Sequence, residues 1–237
     1  MAILENSIPK FSIQHPITKQ TLWFRPFLVK EEKKMLTVQE FGSKEELINC
    51  AKEIVEECYD NIRSSNLSTF ELDYLFNQIR IKSIGETVRA KFVCPFTGEQ
   101  IDLNFDLNNI KIKGLENFSN KVKINDKIIL NFRCPSYSDI SEIGEKQIDY
   151  DYLIDLSVKC LTKITTESEV IDMDHSKHEQ IKDMILNLTT KEFNHIIKFF
   201  ENIPTYEYEY SYTTSDGTDR NIVISGIEDF FIFASAI

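Results

Sequence analysis

Apolar and polar positions alternate over residues 7–14 and again over 18–25, and this period of two predicts a pair of strands around His15-Pro16. Ile8, Phe11 and Ile13, then Leu22 and Phe24, give the pair an apolar face, and Pro16 suits the turn. From Lys30 to Phe41 the period becomes helical, with Met35, Leu36 and Val38 along its turns. Ser43 opens a second helix, because Glu46 three residues on completes a capping box and Leu47, Cys50, Ala51, Ile54, Val55 and Cys58 recur at helical spacing. Ser68 and Glu71 form another capping box before Phe70, Leu72, Leu75, Phe76, Ile79 and Ile84, and Gly85 marks the stop.

Residues 87–94 and 99–107 predict a hairpin turning at Pro95, Thr97 and Gly98, and short strands follow over 121–124 and 127–133, joined at Asn125-Asp126. Cys134 to Glu145, with Pro135 and Gly144, reads as a linker. Beyond it the pattern predicts a helix from Asp149 to Leu161, a strand from Ile164 to Met173, and helices from Lys177 to Asn187 and from Thr190 to Glu201. Tyr206, Tyr208, Tyr210 and Tyr212 alternate with polar residues, meet Asp216-Gly217 and continue into Asn221 to Ser225, a strong hairpin signal. An aromatic helix, Gly226 to Phe233, closes the chain, and no internal repeat is evident. The expected fold class is α+β, with antiparallel hairpins packed against helices in two halves, residues 1–137 and 138–237.

Charge sharpens that division. The net charge of −11 falls almost wholly on residues 138–237, which hold 8 Lys/Arg against 20 Asp/Glu, while residues 1–137 hold 19 against 18. An acidic half repels phosphate, so neither nucleic acid nor an anionic membrane surface is expected as a partner. It reads as a solvated face or as a docking surface for a basic partner. Five widely spaced cysteines do not make a disulfide framework. Met1 to Pro26 lacks a basic segment followed by an apolar core, and no run has the length of a membrane span, so a soluble protein of a reducing cytoplasm is expected.

Candidate chemistry is sparse. Cys94-Pro95-Phe96-Thr97-Gly98 has the outline of a zinc knuckle at a hairpin tip, but Thr97 fills the second ligand position and threonine is a poor zinc ligand. Cys134-Pro135 echoes the first half without a partner. His175 and His178 stand three apart beside Asp172, Asp174 and Glu179, which fits a metal site on a helix, although a helix cap of this composition is commoner. Nothing places two carboxylates across a cleft, and there is neither a Gly-x-Ser-x-Gly elbow nor a phosphate-binding loop. No catalytic residue, metal or cofactor is therefore expected. The tyrosine strand could stack on bases or sugars, but Glu207 and Glu209 lie between the rings, and one packed Tyr face is the better reading.

The most informative stretch is Trp23-Phe24-Arg25-Pro26-Phe27-Leu28-Val29-Lys30-Glu31-Glu32-Lys33, an apolar strand end that passes through proline into a charged helix start. With Phe70 to Phe76, the exit Arg80-Ile81-Lys82-Ser83-Ile84-Gly85-Glu86, and the ending Gly226 to Phe233, it resembles the baseplate hub proteins of T-even-like contractile-tailed bacteriophages, the group of a hub subunit and a hub assembly catalyst. That resemblance implies a non-enzymatic component or assembly factor of the tail baseplate hub. Its partners would be other hub and tail-tube proteins, self-association is compatible with it, and its place would be the host cytoplasm during assembly or the virion tail baseplate. The candidate interface or packing residues are Phe24, Arg25, Pro26, Phe27, Lys30, Glu31, Phe230 and Phe231. Phe24 and Phe27 are expected to be buried. Of the four apolar residues 230–233, at least one is expected to face away from its own domain, since successive helical residues turn by about 100°. The rival reading is a small binding module, zinc-knuckle-like or ligand- or nucleic-acid-binding, built on the hairpin at Cys94.

Overall fold

The computed structural model describes residues 8–144, 148–173 and 178–234, the last three of these as backbone. In chain order the elements are β1 (Phe11–Gln14), β2 (Thr21–Phe24), α1 (Val29–Phe41), α2 (Lys44–Cys58), α3 (Thr69–Ile84), β3 (Thr87–Val93), β4 (Gln100–Asp106), β5 (Lys111–Lys113), β6 (Lys121–Lys123), β7 (Ile128–Phe132), α4 (Tyr137–Ile143), α5 (Tyr150–Cys160), β8 (Leu161–Thr166), β9 (Val170–Asp172), α6 (His178–Leu186), α7 (Thr190–Glu201), β10 (Thr205–Thr213), β11 (Asp219–Ser225) and α8 (Gly226–Ala234). The fold is α+β, with every strand pair antiparallel.

The chain divides into two compact units, Met1–Lys113 with Thr205–Ile237, and Gly114–Pro204. In the first, α3 is the central helix. Its capping box sets the start, with Glu71 accepting from the Ser68 amide at 2.9 Å. It buries Phe70, Leu72, Leu75, Phe76, Ile79 and Ile81 on several sides, as a helix enclosed by its own domain does. Each such side chain contributes about 1.5–3 kcal/mol. The hairpins β1–β2 and β3–β4 and the sheet β11–β10–β5 belong to this unit. Tyr206, Tyr208, Tyr210 and Tyr212 share one face of β10; Tyr206 and Tyr212 are buried and the other two half-buried, which agrees with the packed-face expectation.

The second unit is a four-stranded sheet, β6-β7-β8-β9, with α4 to α7. Its core gathers Val122, Leu130, Phe132, Val158, Ile185 and Ile196. Two expectations need correction here. Cys134 to Glu145 is not a linker: α4 occupies its middle, nucleated by Ser136 and Asp139 in a capping box. The strand expected from Ile164 to Met173 is a hairpin, since Thr166 and Glu169 close a turn between β8 and β9.

The division at 137/138 also fails, because β7 before it pairs with β8 after it, from Ile128↔Thr166 to Phe132↔Leu161. The charge asymmetry fails with it. The first unit holds 16 Lys/Arg and 22 Asp/Glu, and the second holds 11 and 16, so the acid excess is −6 and −5.

Candidate functional site

Phe24 ends β2 fully buried, stacked on Tyr59 at 4.9 Å and bridged to it through the backbone. The Arg25 amide donates to the Cys58 carbonyl at 3.0 Å, so the strand end is tied to the end of α2. Pro26 then fixes its own φ ahead of the helix. Leu28 occupies the N-cap position of α1 without a side-chain acceptor, so the helix start depends on Glu31, which is 3% exposed. One Glu31 oxygen accepts from the Leu28 amide at 2.6 Å; the other meets the Arg25 guanidinium at 2.8 Å and Lys30 Nζ at 3.1 Å. Arg25 also donates to the Pro26 carbonyl at 3.1 Å. Lys30 is mostly exposed and reaches Glu57 at 2.8 Å.

Burial works to raise the Glu31 carboxyl, but the hydrogen bonds from Arg25, the Leu28 amide and Lys30 outweigh it and hold the group at about 2. Glu31 is held ionised with both oxygens engaged, so the cluster fastens the strand end to the helix start.

The segments that carry the resemblance converge here. The Phe27 amide donates to Ser83 Oγ at 2.8 Å, and Ser83 in turn donates to the Ile79 carbonyl at 2.7 Å. The Phe27 ring lies 6.0 Å from Phe76, and Phe76 stacks on Phe231 at 5.0 Å with the planes 4° apart. Strand exit, α3 and α8 thus meet on Phe76. Phe27 is half-buried, not buried as expected. Phe231 and Phe230 are both buried, the latter 5.4 Å from Tyr206, so neither points away from its domain. A short helix can bury adjacent rings when α3 lies on one side and β10 on another. The side chains of Ile232 and Phe233 lie outside the described residues.

A second cluster of the same kind lies outside the residues that the sequence pattern singles out. Phe132 ends β7 buried, the Arg133 amide donates to the Cys160 carbonyl at 2.9 Å, and the guanidinium grips Asp139 by two bonds of 2.6 and 2.8 Å. Asp139 also accepts from the Ser136 amide and hydroxyl, each at 2.7 Å. Burial opposes ionisation, and the bonds from Arg133 and Ser136 again prevail, holding the carboxyl at about 2. The signal lay in Phe132-Arg133 with an acidic residue six places after the arginine, the spacing of Arg25 and Glu31.

Cys94 is buried beside the β3–β4 turn. Burial pushes its thiol up, while hydrogen bonding with Thr97, Tyr212 and the amides of Phe96 and Thr97 brings it down to about 7. Tyr212 donates to Sγ at 3.4 Å, and Thr97 donates to Glu99 at 3.1 Å. Burial lifts the thiols of Cys58 and Cys160 to about 12. Of the His175/His178 cluster, Asp174 and His175 lie outside the described residues. Among the described residues no three His, Cys, Asp or Glu side chains gather as metal ligands, and no helix is long and apolar enough to cross a membrane.

No curated protein and no solved structure gives a significant match to the chain. The family model described as T4 bacteriophage base plate protein matches residues 8–232, a stretch that includes the Phe24–Glu31 segment, α3 and most of α8. As its packing motifs imply, the chain belongs to the T4 bacteriophage base plate protein family.

Proposed function

We propose that the chain is a non-enzymatic component or assembly factor of the phage tail baseplate hub, acting with other hub and tail-tube proteins. The observation that carries the reading is the span of the family match, which takes in residues of both units. The residues singled out by the resemblance support it: Arg25, Glu31, Phe27, Phe76 and Phe231 are engaged in holding elements together. A net acid excess in both units favours basic surfaces on the partners and steers their approach.

The test is a phage lacking this gene. Infected cells are expected to accumulate heads without complete tails, with incomplete baseplates visible by electron microscopy. Mass spectrometry of purified wild-type virions then separates a component, whose peptides are present, from an assembly factor, whose peptides are absent. Normal tails in the deletion phage would overturn the proposal.

A further inference from the structure

The Phe24–Glu31 and Phe132–Asp139 clusters are two members of a longer series of equivalences. Each follows a hairpin, β1–β2 or β6–β7. In each, the arginine amide bonds to a cysteine carbonyl at the end of the second helix onward, Cys58 or Cys160. The residue after that cysteine pairs back onto the phenylalanine, as Phe24↔Tyr59 and Phe132↔Leu161.

The turn of each hairpin is built alike and holds the same later element. His15 Nδ1 accepts from the amides two and three residues on, Ile17 at 3.2 Å and Thr18 at 3.3 Å, and its Nε2 meets Glu71 Oε1 at 3.2 Å. Asn125 Oδ1 accepts from the amides two and three residues on, Lys127 and Ile128, both at 3.0 Å, and its Nδ2 donates to Glu192 Oε1 at 3.1 Å. Glu71 and Glu192 are the third residues of α3 and α7, and their second oxygens accept from the amide and hydroxyl of Ser68 and Thr189 respectively. The sequences then run in parallel: Ser68-Thr69-Phe70-Glu71-Leu72-Asp73-Tyr74-Leu75 against Thr189-Thr190-Lys191-Glu192-Phe193-Asn194-His195-Ile196. The buried positions Leu72, Leu75 and Ile79 fall on the buried Phe193, Ile196 and Phe200.

Each of these helices leads into a hairpin that begins at a threonine, β3–β4 at Thr87 or β10–β11 at Thr205. Both turns carry a left-handed glycine whose amide closes the loop, Gly98 onto Cys94 and Gly217 onto Thr214. These two hairpins face each other. Phe105 stacks on Tyr208 at 5.2 Å, Phe92 meets Tyr212 edge-on at 5.7 Å, and the Ser215 amide donates to Glu99 at 2.9 Å.

Capping boxes and side-chain-closed turns are common one at a time. Their recurrence in one order, with one set of cross-connections, is not the product of local propensity. We propose that the chain is a tandem duplication of one module, hairpin–clasp–helices–hairpin, over residues 8–113 and 121–225. The partner that the inner face of the module's terminal hairpin fits is a second copy of the module. Residues 161–189 of the second copy, which hold β8, β9 and α6, replace the short connection 59–68 of the first, and this insertion hides a fixed repeat period. The duplication is independent of the assembly role proposed above.

The test exchanges equivalent residues in the full chain. His15→Ala is expected to lower the melting temperature by about 5 °C, because two amides and Glu71 lose their partner. His15→Asn should recover most of that loss and keep the Ile17 and Thr18 amides protected from hydrogen exchange, since Asn does this work at position 125. An equal fall for both variants, with the two amides exposed, would overturn the equivalence. For the hairpin face, Phe105→Ala and Tyr208→Ala should together lower the melting temperature by less than the sum of their separate shifts. Additive shifts would remove that face from the proposal.

Discussion

Glu31 is 3% exposed and its arginine 16%, whereas Asp139 is 11% exposed and Arg133 39%. The two clasps also start their helices differently. Leu28 offers no side-chain acceptor, so the longer Glu31 supplies the cap bond and the charge for a helix of 13 residues. Ser136 caps α4 fully, with its Oγ accepting from the Asp139 amide at 3.2 Å, and α4 runs only 7 residues. An arginine–carboxylate pair at this spacing thus serves as a chain fastener in two settings. Where the cap side chain is missing, the acid is sealed more deeply and bears more of the load.

The largest effects are expected at the phenylalanines of the two clasps. Phe24→Ala and Phe132→Ala should each cost about 3–5 kcal/mol in urea unfolding, since both rings are fully buried. A cost under about 1 kcal/mol for either would end the equivalence at the strand ends. Next come the arginines. Arg25→Ala removes the guanidinium from an acid that is 3% exposed, leaving it only Lys30 and the Leu28 amide, and should cost about 3 kcal/mol, while Arg133→Ala, more open to water, should cost about 2 kcal/mol. The reverse order would show that exposure does not set the difference.

Acid acts on both clasps. Glu31 and Asp139 sit at about 2 in the fold, below the ordinary 4.5 and 3.8. A depressed folded value means that their stabilisation is complete above the ordinary values and is lost as pH falls through about 2. The melting temperature of the wild type should therefore fall between about pH 4.5 and 2, and Glu31→Gln or Asp139→Asn should each flatten that fall. The smallest effect belongs to the cap. Ser136→Ala should cost about 1 kcal/mol, read from the same unfolding curves.

Local chemistry in the sequence reaches the elements and stops short of their partners. The capping boxes at Ser43–Glu46 and Ser68–Glu71 and the turns at Gly98 and Gly217 mark their elements within a residue or two, because each signal is completed by near neighbours. α4 was hidden because seven residues hold too little periodicity, and its fastening arginine lies outside it. The unit boundary was hidden because β10 pairs with β5, more than ninety residues earlier, and α8 packs on α3 farther back still, associations that no local pattern encodes. At the site, the Phe24–Glu31 stretch was legible as a junction. Its connection to Ser83 and Phe231 was not, since both reach it only through the packing of α3 and α8.

Arg25 and Glu31 act as a single internal fastener. A double-mutant cycle with Arg25→Met and Glu31→Gln, followed by urea unfolding of the full chain, tests it most directly. The pair should show a coupling of at least about 1.5 kcal/mol, with the double variant more stable than the sum of the single losses implies. Losses that add to within about 0.5 kcal/mol would contradict it, and would mean that each side chain serves a partner other than its neighbour.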